Sequence, residues 1–395
     1  MKKRLILCLA IPTVLLAQEL RHEAKAVNVE VPVRVFQGDR FVEDLALGDF
    51  EVTEDGKPQK VEAVYLIKKA AIERQEETRP FQPVTARRFY LFFELSKYDP
   101  RLAGAVRFFL NNVLVPEDAL TIVSPLKTYA LKAETLRMMT RDQVADQLIG
   151  ILRRDIVAGN GEYRSAIEDL SNLAAEIRTV MTEEVGPSGE SEVDVLLIQY
   201  AALLDKIENI RSIDQGKLLE FAKILKDRDG QKDIFLFYQS ERIPTIDRRT
   251  LQAFAAMNMD RPGIVQTISD IFDFYKREIR IKVDDIKRAY ADSSIAIHFL
   301  FLATPAEDVP GLTMEEHSED VFAPFLEMAR ATGGFAESSS NLESLMKNAA
   351  QASETYYLLY YSPAGYKPDG KFRTIRVRVK GRDIRVSHRA GYIAD

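Results

Sequence analysis

Two kinds of hydrophobic spacing alternate along this chain and divide it into regions. Across residues 27–35 every second position is valine, at Val27, Val29, Val31, Val33 and Val35, which is the period of a strand with one face in a core. Asp49-Phe50-Glu51-Val52 then leads into Glu54-Asp55-Gly56-Lys57, where Asp-Gly between extended segments predicts a tight hairpin. With the extended pattern of residues 61–65, this predicts a small antiparallel β unit over residues 27–68. Residues 69–86 are charged and hold Pro80 and Pro83, which predicts a linker.

Beyond residue 86 the pattern changes to apolar runs alternating with helical spacing. Residues 89–93, 119–124, 233–238, 294–302 and 356–361 are strand-length runs, and a continuous apolar run suits a strand buried on both faces of a parallel sheet. Residues 100–114, 142–152, 322–331 and 342–351 carry the three-four spacing of helices, the third of them stopped by Gly333-Gly334. One long helix is predicted from Ile268 to Ile286. The alternation predicts an α/β body over residues 87–363, a mostly parallel sheet flanked by helices. Within residues 160–228, Ile167, Leu170, Leu173 and Ile177 form one stripe and Leu196, Tyr200, Leu203 and Ile207 another, on either side of Gly186 to Ser191. They predict an inserted helical hairpin, although ordinary core-facing helices would give the same stripes. In residues 364–395, Ile375, Val377 and Val379 alternate again, so the β pieces at the two ends are expected to pair into one small domain that covers both sets of strand edges.

The amino terminus changes the picture of where the chain works. Lys2, Lys3 and Arg4 precede an apolar stretch from Leu5 to Leu16, and Ala17 precedes Gln18-Glu19, the layout of a secretory signal peptide over residues 1–17. The apolar stretch is shorter than the ~20 residues that span a bilayer, so no membrane span is expected after its removal. Export to the periplasm or the exterior follows as an expectation. Cys8 is the only cysteine and lies in the signal, so the exported chain has no disulfides and relies on core burial. Without the three signal charges, 51 basic residues face 60 acidic ones, and an acidic balance without a basic stripe argues against nucleic acid as a partner.

The chemistry concentrates where the first strand of the α/β body, residues 89–93, ends. In open α/β sheets ligands sit beyond the carboxyl ends of the strands, and there the chain reads Glu94-Leu95-Ser96-Lys97-Tyr98. Glu94 and Ser96, two apart, offer the carboxylate and hydroxyl oxygens that a hard divalent cation takes. This frame resembles the Asp-x-Ser-x-Ser motif of the von Willebrand factor A domain. A wider resemblance is to exported von Willebrand A-related proteins of Acidobacteria. It is carried by Asp49-Phe50-Glu51-Val52-Thr53-Glu54-Asp55-Gly56-Lys57-Pro58-Gln59, by Ala331-Thr332-Gly333-Gly334, by residues 356–363, by Phe372-Arg373-Thr374-Ile375 and by Arg389-Ala390-Gly391-Tyr392, and it spans roughly residues 27–393. It implies a von Willebrand A-like, Rossmann-type sheet.

The departures fall on the metal site that the resemblance implies. Glu94 replaces the first aspartate, Lys97 adds a cation, and Tyr98 replaces a small hydroxyl. The threonine implied on a second loop is missing from Gly159-Asn160-Gly161-Glu162-Tyr163-Arg164, and the aspartate implied on a third loop is replaced by Gln239-Ser240-Glu241. A Mg²⁺ or Ca²⁺ site built on Glu94, Ser96, Ser240 and Glu241 is therefore the weaker expectation, and pairing of Glu94 with Lys97 the stronger one. No cofactor is expected.

Enzyme signatures are absent from the sequence. His22, His298, His317 and His388 show no metal spacing, and no nucleophile elbow, phosphate loop or dinucleotide fingerprint occurs. His298 lies inside a buried-strand pattern and reads as a hydrogen-bonded core histidine. Tyr356, Tyr357, Tyr360 and Tyr361 could form a contact surface, although strand alternation would bury half of them. The function expected is non-catalytic protein binding or scaffolding through a rim of Glu94, Ser96, Lys97, Tyr98, Tyr163, Gln239, Ser240 and Glu241. Metal-dependent adhesion and a hydrolase with an unrecognised site are the alternatives.

Overall fold

A computed structural model describes residues 27–38, 40–182, 187–276, 281–306, 312–381 and 384–395. The expected signal peptide over residues 1–17, Cys8 and His22 lie outside these residues. Strand Val29–Gln37 turns Val29, Val31, Val33 and Val35 into a core. Strands Phe50–Glu54 and Lys57–Gln59 form the Asp-Gly hairpin, with Asp55 at φ 48° and Gly56 at φ 79°, the left-handed pair that such a turn requires.

The expected mostly parallel, von Willebrand A-like sheet is not the organising feature of the molecule, which is mixed α/β. Of the four sheets among the described residues, three are antiparallel. The fourth is mixed: Ala336–Ser339, Ile295–Leu302, Gln231–Gln239, Arg87–Glu94 and Ala119–Val123 run parallel, and Thr128–Leu131 closes the edge antiparallel to its neighbour. The decisive difference is strand Thr355–Tyr361. Instead of ending the α/β sheet, it lies antiparallel between Val29–Gln37 and Val61–Lys68. A continuous apolar run reports burial on both faces, and this strand has that between two small cores. Tyr357, Leu359 and Tyr361 pack on one side, and Tyr356, Leu358 and Tyr360 on the other. The four tyrosines are therefore core residues and offer no contact surface.

The tail joins the same region. Phe372–Val379 pairs with Phe50–Glu54, and Arg385–His388 pairs with Val29–Gln37. The expected linker is also replaced in part, since Ala71–Glu77 is an edge strand paired with Val61–Lys68. Its sequence, Ala-Ile-Glu-Arg-Gln-Glu-Glu, buries almost nothing, and charge on an exposed edge discourages pairing with other chains. The single long helix expected near residue 268 is two helices, Pro262–Lys276 and Val283–Asp292. Helices Gly161–Thr182 and Pro187–Arg211 pack together, with Pro262–Lys276 laid against the second, around Leu170, Tyr200 and Ile271.

Helix Glu319–Ala331 ends where Gly333 takes φ 74°, the left-handed cap that glycine adopts without strain. At Gly334 the reason is space, because a Cβ would stand 1.8 Å from the carbonyl oxygen of Ile297. Gly334→Ala is expected to push the helix away from strand Ile295–Leu302 and to destabilise the protein by about 1–3 kcal/mol. Urea denaturation checks this, and a shift of only a few tenths would mean that the strand yields freely.

Candidate functional site

Alternation along Arg87–Glu94 builds the site. Phe89, Leu91 and Phe93 enter one core, so Tyr90, Phe92 and Glu94 face the other side of the sheet. There Phe92 meets Phe221 of helix Gln215–Lys226, with ring centroids 5.5 Å apart. Glu94 is in register with Tyr238 on the neighbouring strand. Between these elements lies a cavity of about 550 Å³, walled by Phe92, Leu218, Phe221, Ile234, Leu236 and Tyr290. Exposed Ser212, Asp214 and Lys217 also border it.

Most polar groups at this end hold backbone in place. Gln239, which stands where the resemblance implied aspartate, accepts from Ser96 Oγ at 3.2 Å and from the Lys97 amide at 2.9 Å, so it fixes the loop after strand Arg87–Glu94. Asn160 sits between two helices rather than in a ligand loop, and its amide donates to the Leu95 carbonyl at 2.9 Å. Ser240 is buried against Thr304, with 2.8 Å between the hydroxyls. Glu241 takes an ion pair from Arg211 and a hydrogen bond from the Tyr238 hydroxyl. Arg211 also donates to the His317 carbonyl at 3.1 Å.

The rim expected from sequence therefore divides. Glu94, Ser96, Tyr163, Gln239 and Glu241 border the cavity together. Tyr98 instead packs partly against the core on the opposite sheet face, with the Arg153 guanidinium 5.7 Å from its ring centre. Tyr163 is 8% exposed, and burial pushes its phenol up to about 12. Sequence reasoning placed Asn160 in the second loop without a role and missed Arg211, Thr304 and Ser318, whose hydroxyl accepts from the Glu241 amide at 2.8 Å. Each is a lone polar residue at a helix end or loop, and only the folded chain brings them together.

Glu94 stands apart from its neighbours. Among the described residues it forms no hydrogen bond or ion pair, so the expected pairing with Lys97 is not made. Its surface is accessible, but it stands in a concavity walled by protein. That desolvation, with no cation to offset it, pushes its carboxyl above the usual range. A carboxyl raised in the folded state contributes stability below the ordinary carboxylate range, and this is lost as pH rises through the raised value. Glu94→Gln is therefore expected to melt at the same or a higher temperature than the parent at pH 8. A clear drop in melting temperature would mean that Glu94 has a structural partner.

A divalent ion finds few open ligands here. The oxygens of Glu241 are taken by Arg211 and Tyr238, and Ser240 is bonded to Thr304, so of the two candidate carboxylates only Glu94 is uncommitted. Among the described residues no three His, Cys, Asp or Glu side chains are grouped to hold a metal. No described helix is long and apolar enough to cross a membrane. The described histidines have internal partners or contacts: His298 Nε2 lies 3.0 Å from Asp233 Oδ1, the Val377 amide donates to His388 Nε2 at 3.1 Å, and the His317 ring stacks on Phe274. No family model, curated protein or solved structure matches the chain.

Proposed function

We propose that this is a non-catalytic, exported binding or scaffold protein that makes protein contacts at the carboxyl ends of its parallel strands. The observation that carries the reading is the cavity at those ends, with an apolar wall and one unpartnered carboxylate, bordered by polar groups that fix loops. A concave, mostly apolar site with few converging polar groups is built for recognition. Export rests on the signal-like residues 1–17, and kinship with the exported von Willebrand A-related proteins rests only on the resemblance of phrases such as Asp49 to Gln59.

The test is capture of cross-linked partners from the cell envelope by the mature chain and by Leu218→Trp, which fills the cavity wall. A partner held by the parent and lost by the variant is expected. Equal capture by both would place binding elsewhere. Calorimetric titration with Mg²⁺, Ca²⁺ and Mn²⁺ tests the adhesion alternative, and millimolar or tighter binding that disappears in Ser96→Ala would replace this reading.

A further inference from the structure

We propose that the cavity receives a lysine side chain of the partner, flanked by apolar residues, with its ammonium against Glu94. The inference rests on the reading of the strand ends as a protein-binding site and names the chemistry of what enters it.

Charge balance is the first argument. Five charged side chains border the cavity: Glu94, Arg211, Asp214, Lys217 and Glu241. Arg211 is paired with Glu241, and Lys217 Nζ lies 3.5 Å from Asp214 Oδ2. Glu94 is left over, a negative charge with no cation of its own. A cationic ligand completes the set, whereas an anion would add to the imbalance.

Shape and donor count narrow the cation. The wall is built of aromatic and aliphatic side chains, which suits an aliphatic stem more than a hydrated ion. The volume of about 550 Å³ exceeds one lysine side chain, so a neighbouring apolar residue has room. A guanidinium brings five donors in a fixed fork and an ammonium three that rotate. With Glu241 and Gln239 already committed, the ammonium leaves fewer donors without acceptors. Desolvation of the unpaired Glu94 carboxylate points the same way, because the attraction of a bound cation offsets that penalty.

The test is calorimetry on the mature chain with acetyl-Leu-Lys-Phe-amide, its Nε-acetyl-lysine counterpart and n-hexylamine. The lysine peptide is expected to bind at least tenfold more tightly than the acetylated one, as a charge-assisted bond in an apolar site requires. That preference should vanish in Glu94→Gln, whose melting temperature controls for folding, and Leu218→Trp should abolish binding of both peptides. Equal binding of the two peptides, no binding up to millimolar concentration, or a preference that survives Glu94→Gln overturns the inference. Tighter binding of hexylamine than of the lysine peptide also overturns it, in favour of a free amine. Partner capture that depends on Leu218 without any lysine preference would sink this inference alone and leave the binding-site reading standing.

Discussion

Asp233→Ala is expected to destabilise the protein by about 3–5 kcal/mol, among the largest effects of a single substitution in this chain. Asp233 has no solvent exposure, and its Oδ1 receives His298 Nε2 at 3.0 Å and Arg34 Nη2 at 3.4 Å. Arg34 belongs to the antiparallel sheet and Asp233 to the mixed sheet, so the pair ties one to the other. Arg34 Nη1 adds a bond to the Gly333 carbonyl at 3.0 Å, just past the helix that Gly333 caps. Removal of the carboxylate leaves a guanidinium that is 2% exposed, with its charge uncompensated. Replacing both partners together, as Arg34→Leu with Asp233→Leu, removes both desolvated charges and is expected to cost less than either change alone. Urea denaturation of the two single variants and the double variant decides the matter. A cost below about 1 kcal/mol for Asp233→Ala would mean that the two sheets are held together without this pair.

The same residues show why the sequence predicted elements better than their assembly. The valine alternation, the Asp-Gly turn and the Gly-Gly stop are local signals, and local backbone chemistry decides them. Placement of strand Thr355–Tyr361 is a matter of pairing partners, and its register with Val29–Gln37 and Val61–Lys68 depends on contacts hundreds of residues apart. Hydroxyl partners far along the chain support it there: Tyr357 donates to the Val42 carbonyl at 2.8 Å and Tyr361 to Glu54 at 2.8 Å. Strand Ala71–Glu77 was illegible for a different reason. An edge strand made of charge has no hydrophobic period to read.

At the candidate site, position was legible and commitment was not. The apolar run pointing at Glu94 could be read directly, and Gln239 and Glu241 fell at the end of another such run. Nothing in the residue types, however, told that Gln239 would hold the loop of Ser96 and Lys97, or that Glu241 would be claimed by Arg211 from a helix ending near residue 211. Those commitments leave Glu94 as the unsatisfied group, and they depend on tertiary neighbours alone.

Acidification from about pH 6.5 to pH 4 is expected to weaken the protein, with His317 contributing up to about 3 kcal/mol at about 1.4 kcal/mol per pH unit. Burial, reinforced by the Arg211 guanidinium, lowers the His317 imidazole to about 4. Half-exposed Glu315, 3.8 Å from Nε2, is too well solvated to offset this. Burial also lowers His298, where Arg34 already neutralises Asp233, and His388. The unfolded chain binds protons on these rings at a pH where the native protein does not. Stability is therefore full above the ordinary histidine range and is lost as pH falls toward 4. His317→Phe keeps a ring against Phe274 and Tyr275, whose centroids lie 5.9 and 6.0 Å away, and cannot charge. Urea midpoints at pH 7, 5.5 and 4 should fall less steeply in this variant than in the parent, and parallel curves would mean that His317 is not held neutral. The effect reaches the candidate site because the His317 carbonyl holds Arg211, and Arg211 holds Glu241. A proton on His317 sets a second cation beside that guanidinium, so acid should weaken the Arg211 end of the cavity.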